Sequence, residues 1–213
     1  MMLVTEIFYS LQGEGSRRGR PCAFVRLTGC PLRCTWCDTA YAFHGGKEMS
    51  VQEILDELAT FPTHLICVTG GEPLAQAETR DLLTALIEAD YEVVLETSGA
   101  LDIGGCNEFV IMIMDWKAPA SGEVTKNLLA NVELLRPEDE VKFVLQDRLD
   151  YDWACGQLLA HRFDQRVDTV LFSPVHGKLD PAELAAWILE DGLPVVLQLQ
   201  QHKLLWPDQR RGV

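Results

Sequence analysis

The feature that most constrains this chain is the alternation of short, continuous apolar runs with amphipathic helical segments. Cys22 to Thr28, His64 to Thr69, Tyr91 to Thr97, Phe109 to Asp115, Val141 to Gln146, Val167 to Phe172 and Val195 to Gln200 read as buried strands. Ser50 to Ala59 reads as a helix, with Ser50 and Glu53 as a capping box and Val51, Ile54, Leu55 and Leu58 on one face. A second helix carries Leu82, Leu83, Leu86 and Ile87. A third begins at Asp180 with Pro181 in its first turn, lines up Leu184, Trp187 and Ile188, and stops at Gly192. Strands alternating with helices imply a mainly parallel sheet with both faces covered. A complete eightfold barrel usually takes about 250 residues. The 213 residues here fall short, and the stretch between Thr97 and Phe109 has little room for a helix. The expected fold is therefore α/β, an incomplete, open βα barrel; a flat doubly wound sheet is the alternative. In both, ligands gather at the carboxyl ends of the strands. Nothing repetitive or linker-like divides the chain, so one domain is expected over residues 1–213, with short terminal extensions at the substrate.

Charge narrows the partners. Eighteen basic against 32 acidic residues leave a net charge of −14, which repels a phosphate backbone and argues against nucleic acid. The basic residues Arg17, Arg18 and Arg20 keep a small anionic ligand open. The longest near-continuous apolar run, Phe109 to Met114, is too short for a membrane span. The N-terminus carries Glu6 within its apolar stretch and lacks a basic lead, so a secretory signal is not expected and the cytoplasm is. Seven cysteines are an odd number for a disulfide framework. In a reducing compartment, clustered cysteines bind metal or do redox work.

Cys30, Cys34 and Cys37 form a Cys-x3-Cys-x2-Cys group directly after the strand ending near Thr28, with Gly29 and Pro31 helping the chain turn. Three thiolates can ligate three irons of a cubane cluster and leave the fourth without a protein ligand. Zinc with His44 or another cysteine, a dithiol pair at Cys34 and Cys37, and plain burial compete for the same residues. The end of the next strong strand, Thr69-Gly70-Gly71-Glu72-Pro73, supplies two glycines for close backbone approach and, in Glu72, an acceptor for an ammonium group. Cys22 and Cys67 read as buried packing residues.

Together these residues resemble the radical S-adenosylmethionine (SAM) superfamily. Its Cys-x3-Cys-x-aromatic-Cys motif is met by Cys30, Cys34, Trp36 and Cys37, and its SAM-amino motif by Gly70 to Pro73. Within it, Leu11-Gln12-Gly13-Glu14-Gly15, Arg26, Asp38-Thr39, Glu96-Thr97-Ser98-Gly99, Phe172 to Gly177 and His202-Lys203 are similar to the 7-carboxy-7-deazaguanine synthase family.

The resemblance implies a lyase that turns 6-carboxy-5,6,7,8-tetrahydropterin into 7-carboxy-7-deazaguanine with loss of ammonia, on the route to queuosine. It implies a [4Fe–4S] cluster, SAM and magnesium as cofactors, a homodimer, and an electron donor such as flavodoxin or ferredoxin. By the same resemblance Cys30, Cys34 and Cys37 hold the cluster and Thr39 binds magnesium. Trp36, Asp38, Gly70, Gly71, Glu72, Asp115, Trp116, Lys117, Ser173 and His176 surround cluster and SAM. Asp115-Trp116-Lys117 departs from the Ser-Pro-Lys of some members and shares only the lysine. Leu11, Gln12, Gly13, Glu14, Arg26, Thr69 and His202 contact the substrate: Gln12 and Glu14 at the aminopyrimidinone edge, Arg26 at the carboxylate, and His202 closing the site from the last strand. No titrating catalytic base is expected for the opening hydrogen-atom transfer. Two other readings stay open, an activase for a glycyl-radical enzyme and a non-catalytic zinc module. Arg210-Arg211-Gly212-Val213 either carries a carboxylate inward or is a disordered end.

Overall fold

The computed structural model describes residues 1–209 and 211–213. Strands β1 (Met2–Leu11) and β2 (Pro21–Leu27) form an antiparallel hairpin, and the short β3 (Lys47–Met49) pairs antiparallel with β1. The chain then alternates: α1 (Val51–Leu58), β4 (Leu65–Gly70), α2 (Thr79–Glu88), β5 (Glu92–Thr97), β6 (Ile111–Asp115), β7 (Glu140–Leu145), α3 (Arg148–His161), α4 (Phe163–Arg166), β8 (Thr169–Pro174), α5 (Pro181–Asp191), β9 (Val196–Leu197) and α6 (Gln201–Leu205). Among the described residues the sheet has nine strands in the order β3-β1-β2-β4-β5-β6-β7-β8-β9. From β2 onward all neighbours are parallel, and β3 and β9 remain as unjoined edges. This is the expected open βα barrel.

Two apolar clusters correspond to the two faces of the sheet. The outer one joins Val25, Val68, Leu95, Met114, Phe143 and Phe172 to the helices. Leu82, Leu83 and Leu86 of α2 are fully buried in it, and each such burial contributes about 2 kcal/mol. The inner cluster is smaller: Phe8, Cys22, Phe24, Leu65, Cys67, Val94, Ile113 and Leu171. Because strand side chains alternate between faces, the next inward positions are Arg26, Thr69, Glu96, Asp115 and Ser173. The barrel interior thus changes from apolar near the amino ends of the strands to polar near their carboxyl ends.

The local signals behave as expected where they are complete. Ser50 and Glu53 close a reciprocal capping box, and Asp180 and Gly192 bound α5, with Gly192 in the left-handed region. Four features differ from expectation. The β1 strand belongs to the sheet although its sequence alternates weakly. The α3 helix was not expected. Phe109 lies outside β6 with 69% of its surface exposed, because the strand begins at Ile111. Only Val196 and Leu197 pair as a strand at the end, so His202 sits on α6 rather than on the last strand. Among the described residues no helix is long and apolar enough to cross a membrane.

Candidate active site

The cysteine loop is fastened to the barrel rim by its backbone. Gly29 donates its N–H to Ala42, and its carbonyl accepts from Glu72 at 2.8 Å. Thr35 donates its backbone N–H to Ser121 and its hydroxyl to Ala120. The Gly70-Gly71 turn lies so close to this loop that a Cβ on Gly71 would overlap the Gly29 carbonyl and approach Cys30 Cβ at 2.7 Å. Both motifs therefore share one rim, as ligands at the strand ends require. Cys30 and Cys34 are half-buried, Cys37 is exposed, and all three are free thiols. Burial pushes each thiol up, and the Lys117 ammonium pulls all three the other way. Among the described residues no three His, Cys, Asp or Glu side chains converge on one point, as a single ion would need. A cubane differs in that each thiolate takes a different iron. A free thiol triplet, a nearby cation and a glycine turn packed against the loop fit a [4Fe–4S] cluster with an open iron.

Glu72 differs from expectation. Its carboxylate is fully buried and accepts from the backbone N–H groups of Leu74 and Ser98 and from the hydroxyls of Thr97 and Ser98. Four donors use the lone pairs of a carboxylate, so the side chain braces the turn and is not free to accept from an ammonium group. Trp116 is also displaced from the expected role. Its indole packs edge-on against Phe163 and His161 on the outer face and donates to Gln157 at 3.2 Å. Trp36 is half-buried in the loop. Ser173 is buried, and His176 is exposed on a cleft of about 480 Å³ that it shares with Leu199, Gln200 and Leu204.

Asp115 reaches the interior. Its Oδ2 pairs with Lys117 at 3.0 Å and lies 3.5 Å from Lys142. Its Oδ1 is the buried side-chain polar atom that lacks a partner among the described residues. A buried acceptor without a donor is costly and marks a place where a ligand donor is accommodated. Burial would lower the Lys117 pKa, but Asp115 and Cys34 together outweigh it and the ammonium stays protonated.

The β1–β2 loop enters from the opposite end of the barrel. Arg17 and Arg20 both pair with Glu92, and Ser16 donates to Glu140, so two of the three arginines of the basic cluster read from sequence are spent on the scaffold, while Arg18 is exposed. This leaves Gln12, Gly13 and Glu14 buried, with Gln12 and Glu14 reaching the polar layer. Gln12 donates to Glu96 at 3.4 Å, and Thr69 donates to Glu96 at 3.0 Å. Glu14 accepts from Lys142 at 2.7 Å, from Gln200 at 2.7 Å and from Gln198 at 3.2 Å. Burial opposes its ionisation, yet Lys142 and Gln200 hold the carboxyl well below its ordinary value. Arg26 is inward-facing but pairs with Glu6 at 2.8 Å, and its guanidinium lies over Phe8 and Tyr41. Leu11 ends β1 on a cavity that Trp206 and Val213 also line.

The C-terminal segment bridges the open side. His202 packs on Gly13, where a Cβ would meet its Nδ1 at 2.5 Å. Lys203 pairs with Asp38 of the cysteine loop at 2.6 Å, and Arg211 stacks over Tyr41. Arg210 lies outside the described residues. Thr39 is half-buried and donates to Asp38 at 3.0 Å, which leaves its oxygen lone pairs available.

Residues 24–111 match the radical SAM superfamily. The 7-carboxy-7-deazaguanine synthase of Koribacter versatilis is 43% identical over the full length of both chains. The synthase of Chlorobaculum tepidum is 44% identical over 99% of this chain and 96% of its own. The chain belongs to the 7-carboxy-7-deazaguanine synthase family. The fold agrees: QueE from Escherichia coli superposes with a TM-score of 0.76 at 22% identity, over 93% of each chain. A structure of Streptococcus suis SuiB bound to S-adenosylmethionine shares the fold at a TM-score of 0.55 and 12% identity, over 85% of this chain and 48% of that one. As a 7-carboxy-7-deazaguanine synthase family member the chain is a radical SAM lyase, with a [4Fe–4S] cluster and SAM as cofactors. Sequence reasoning gave Lys142, Gln198 and Gln200 no part in this site, and it matched Glu96 to a motif without a role. The available signal was a lysine inside the otherwise apolar β7 run Val141 to Leu145.

Proposed function

We propose that the chain converts 6-carboxy-5,6,7,8-tetrahydropterin to 7-carboxy-7-deazaguanine with loss of ammonia, for queuosine-type deazapurines. The reading rests most on one observation. Glu14, Thr69, Glu96 and the unpartnered oxygen of Asp115 belong to one polar layer lying between the apolar barrel floor and the cysteine rim. Cys30, Cys34 and Cys37 would hold the cluster, and Gly70, Gly71, Asp115, Lys117, Ser173 and His176 would surround SAM. When bound, the pair supplies the electron and the carbon radical that removes a hydrogen atom from the substrate.

The remaining work is done by the chain itself. Glu14, kept ionised, accepts from a guanidine-like amine and ring N–H, and Gln12 donates and accepts beside it. Arg26 lies inward at the same level and meets a carboxylate with its planar fork once Glu6 is displaced or shared. His202 and Lys203 close the space over Gly13 and Asp38, which keeps water and stray hydrogen donors out. Thr39 would supply a hydroxyl oxygen to magnesium, a hard cation that accepts such ligands and retains waters. We read residues 1–213 as one core domain with substrate-binding ends, working as a homodimer and reduced by a flavodoxin- or ferredoxin-like donor in the cytoplasm.

The test is anaerobic reconstitution with iron and sulfide, reduction, and product analysis with SAM and the carboxypterin. Formation of the deazaguanine acid supports the reading. Tightly bound zinc in a colourless protein, or no conversion, sinks it. Thr39→Ala should keep the cluster and raise the magnesium concentration for half-maximal rate about tenfold, since one ligand of several is lost. An unchanged magnesium titration removes Thr39 from the metal site.

A further inference from the structure

Lys142 is a site-facing charged group that the chemistry above leaves without a role. It sits on β7 between Val141 and Phe143, both of which face the helices, so alternation sends its side chain into the barrel. It is 8% exposed, and its Nζ donates to Glu14 Oε2 at 2.7 Å and lies 3.5 Å from Asp115 Oδ2. A lysine is seldom buried to this degree unless it is paired. Here it is shared between the carboxylate assigned to the substrate edge and the carboxylate on the cofactor side.

The other ties to Glu14 are neutral. Gln198 and Gln200 donate amide N–H groups, and the Glu14 N–H turns back to Gln12 Oε1 at 3.2 Å. Amides can orient a carboxylate but cannot offset the cost of burying its charge. The charged and titratable groups around the pair are Asp115 on β6, Lys117 after it, Glu96 on β5, His202 on α6 and Asp38 of the cysteine loop. Of the other cations at this level, Arg26 is paired with Glu6 and Lys117 with Asp115. Lys142 is therefore the cation in direct contact with Glu14.

We infer that Lys142 is a positioning residue for substrate recognition: its ammonium fixes the Glu14 carboxylate, charged and correctly turned, to accept the aminopyrimidinone edge. The inference rests on the functional reading above. It differs from a scaffold role in that the effect must travel through Glu14.

The test uses cluster-loaded protein with SAM and without reductant, so that binding is read without turnover. Carboxypterin affinity is measured calorimetrically for wild type, Lys142→Met, Lys142→Arg, Glu14→Gln and the double variant. Lys142→Met should weaken the pterin at least tenfold, as loss of one partner of a buried charged pair does. It should change SAM affinity less than about threefold, and Lys142→Arg should recover most of the loss. In the double variant the Lys142 change should cost almost nothing further, because two residues acting through one contact are not additive. The double variant also removes the unpaired buried charge, so it reports even if Lys142→Met alone folds poorly. Equal losses in Glu14→Gln and wild-type backgrounds, or an equal loss for SAM, overturn the inference.

If wild type binds no carboxypterin, the functional reading falls by itself. Lys142 is then judged on the carbon-13 carboxylate signal of Glu14. That signal should stay ionised at pH 5 in wild type and become protonated in Lys142→Met. An ionised Glu14 in both overturns the assignment.

Discussion

The two ends of the barrel are built by opposite rules. At the amino end, the β1–β2 loop is saturated with side-chain contacts: Arg17 and Arg20 on Glu92, Ser16 on Glu140, Gly15 N–H on Gln198 and Glu14 on Lys142. At the carboxyl end, the cysteine loop is held mainly through its backbone and by Thr35 and Arg33, while its three thiols form no disulfide and Cys30 Sγ accepts a long bond from the Leu32 N–H at 3.4 Å. The loop entering at one end spends most of its functional groups on the scaffold and presents Gln12 and Glu14 to the polar layer as rigid recognition groups. The other holds its backbone in place and keeps its reactive atoms for ligands. Such a division suits a radical enzyme, whose substrate must be held in one orientation while the cofactor does the chemistry.

The comparison breaks most sharply at Cys34. Cys34→Ala should abolish cluster assembly and activity, with iron and acid-labile sulfide at background after reconstitution. Because no side chain of the scaffold depends on the thiol, the thermal midpoint of the metal-free protein should move by no more than about 2 °C. A large drop in that midpoint would mean that the rim relies on its thiols, and the contrast between the two ends would be lost.

Glu72 sharpens the same contrast with a smaller effect. It lies at the ligand end but behaves like an amino-end residue, since all its acceptor capacity is used within the protein. Glu72→Ala should leave the Ser98 and Leu74 N–H groups and two hydroxyls unsatisfied in a fully buried place. The expected cost is about 3 kcal/mol in urea denaturation, with SAM affinity falling only as the turn loosens. A variant of normal stability with SAM binding lost would restore Glu72 to direct contact.

What could be read from the sequence divides along a physical line. Signals held within one turn were legible: the Ser50–Glu53 box, the Asp180-Pro181 start and the Gly192 stop depend on neighbours in the chain. The cysteine loop and the Gly70–Pro73 turn were legible because their chemistry needs a fixed spacing. Elements defined by partners far away were not. The β1 strand is specified by its pairing with β2, from Val4 opposite Leu27 to Leu11 opposite Pro21. The α3 helix hides its pattern because Leu149 and Leu159 are exposed while Tyr151, Ala154 and Leu158 are buried. The same holds in the site. Glu72 looked like a free acceptor, but Thr97 at the end of the next strand and Ser98 directly after it occupy it. Trp116 sits next to the inward-facing Asp115, and strand alternation turns it outward. Lys142 had a visible signal, a charge in an apolar strand, but its meaning depends on Glu14, 128 positions away.

The smallest expected effect lies where the two ends meet, at His202. Its ring is packed on Gly13, and burial lowers its pKa below the ordinary 6.5, although Glu14 and Asp38 pull the other way. A released tail would therefore bind a proton more readily than the docked one. Docking of α6 should be at full strength above pH 6.5 and weaken as the pH falls below that value, towards the docked ring's own pKa. Trp206 directly follows α6 and reports on it: among the indole NMR signals of the five tryptophans, that of Trp206 should shift or broaden between pH 7.5 and 5.5. His202→Gln should flatten this response. If the Trp206 signal moves in the opposite sense, with the tail tightening in acid, the nearby carboxylates outweigh burial. Recognition would then depend on a protonated His202, and the amino end would no longer be the pre-set half of the site.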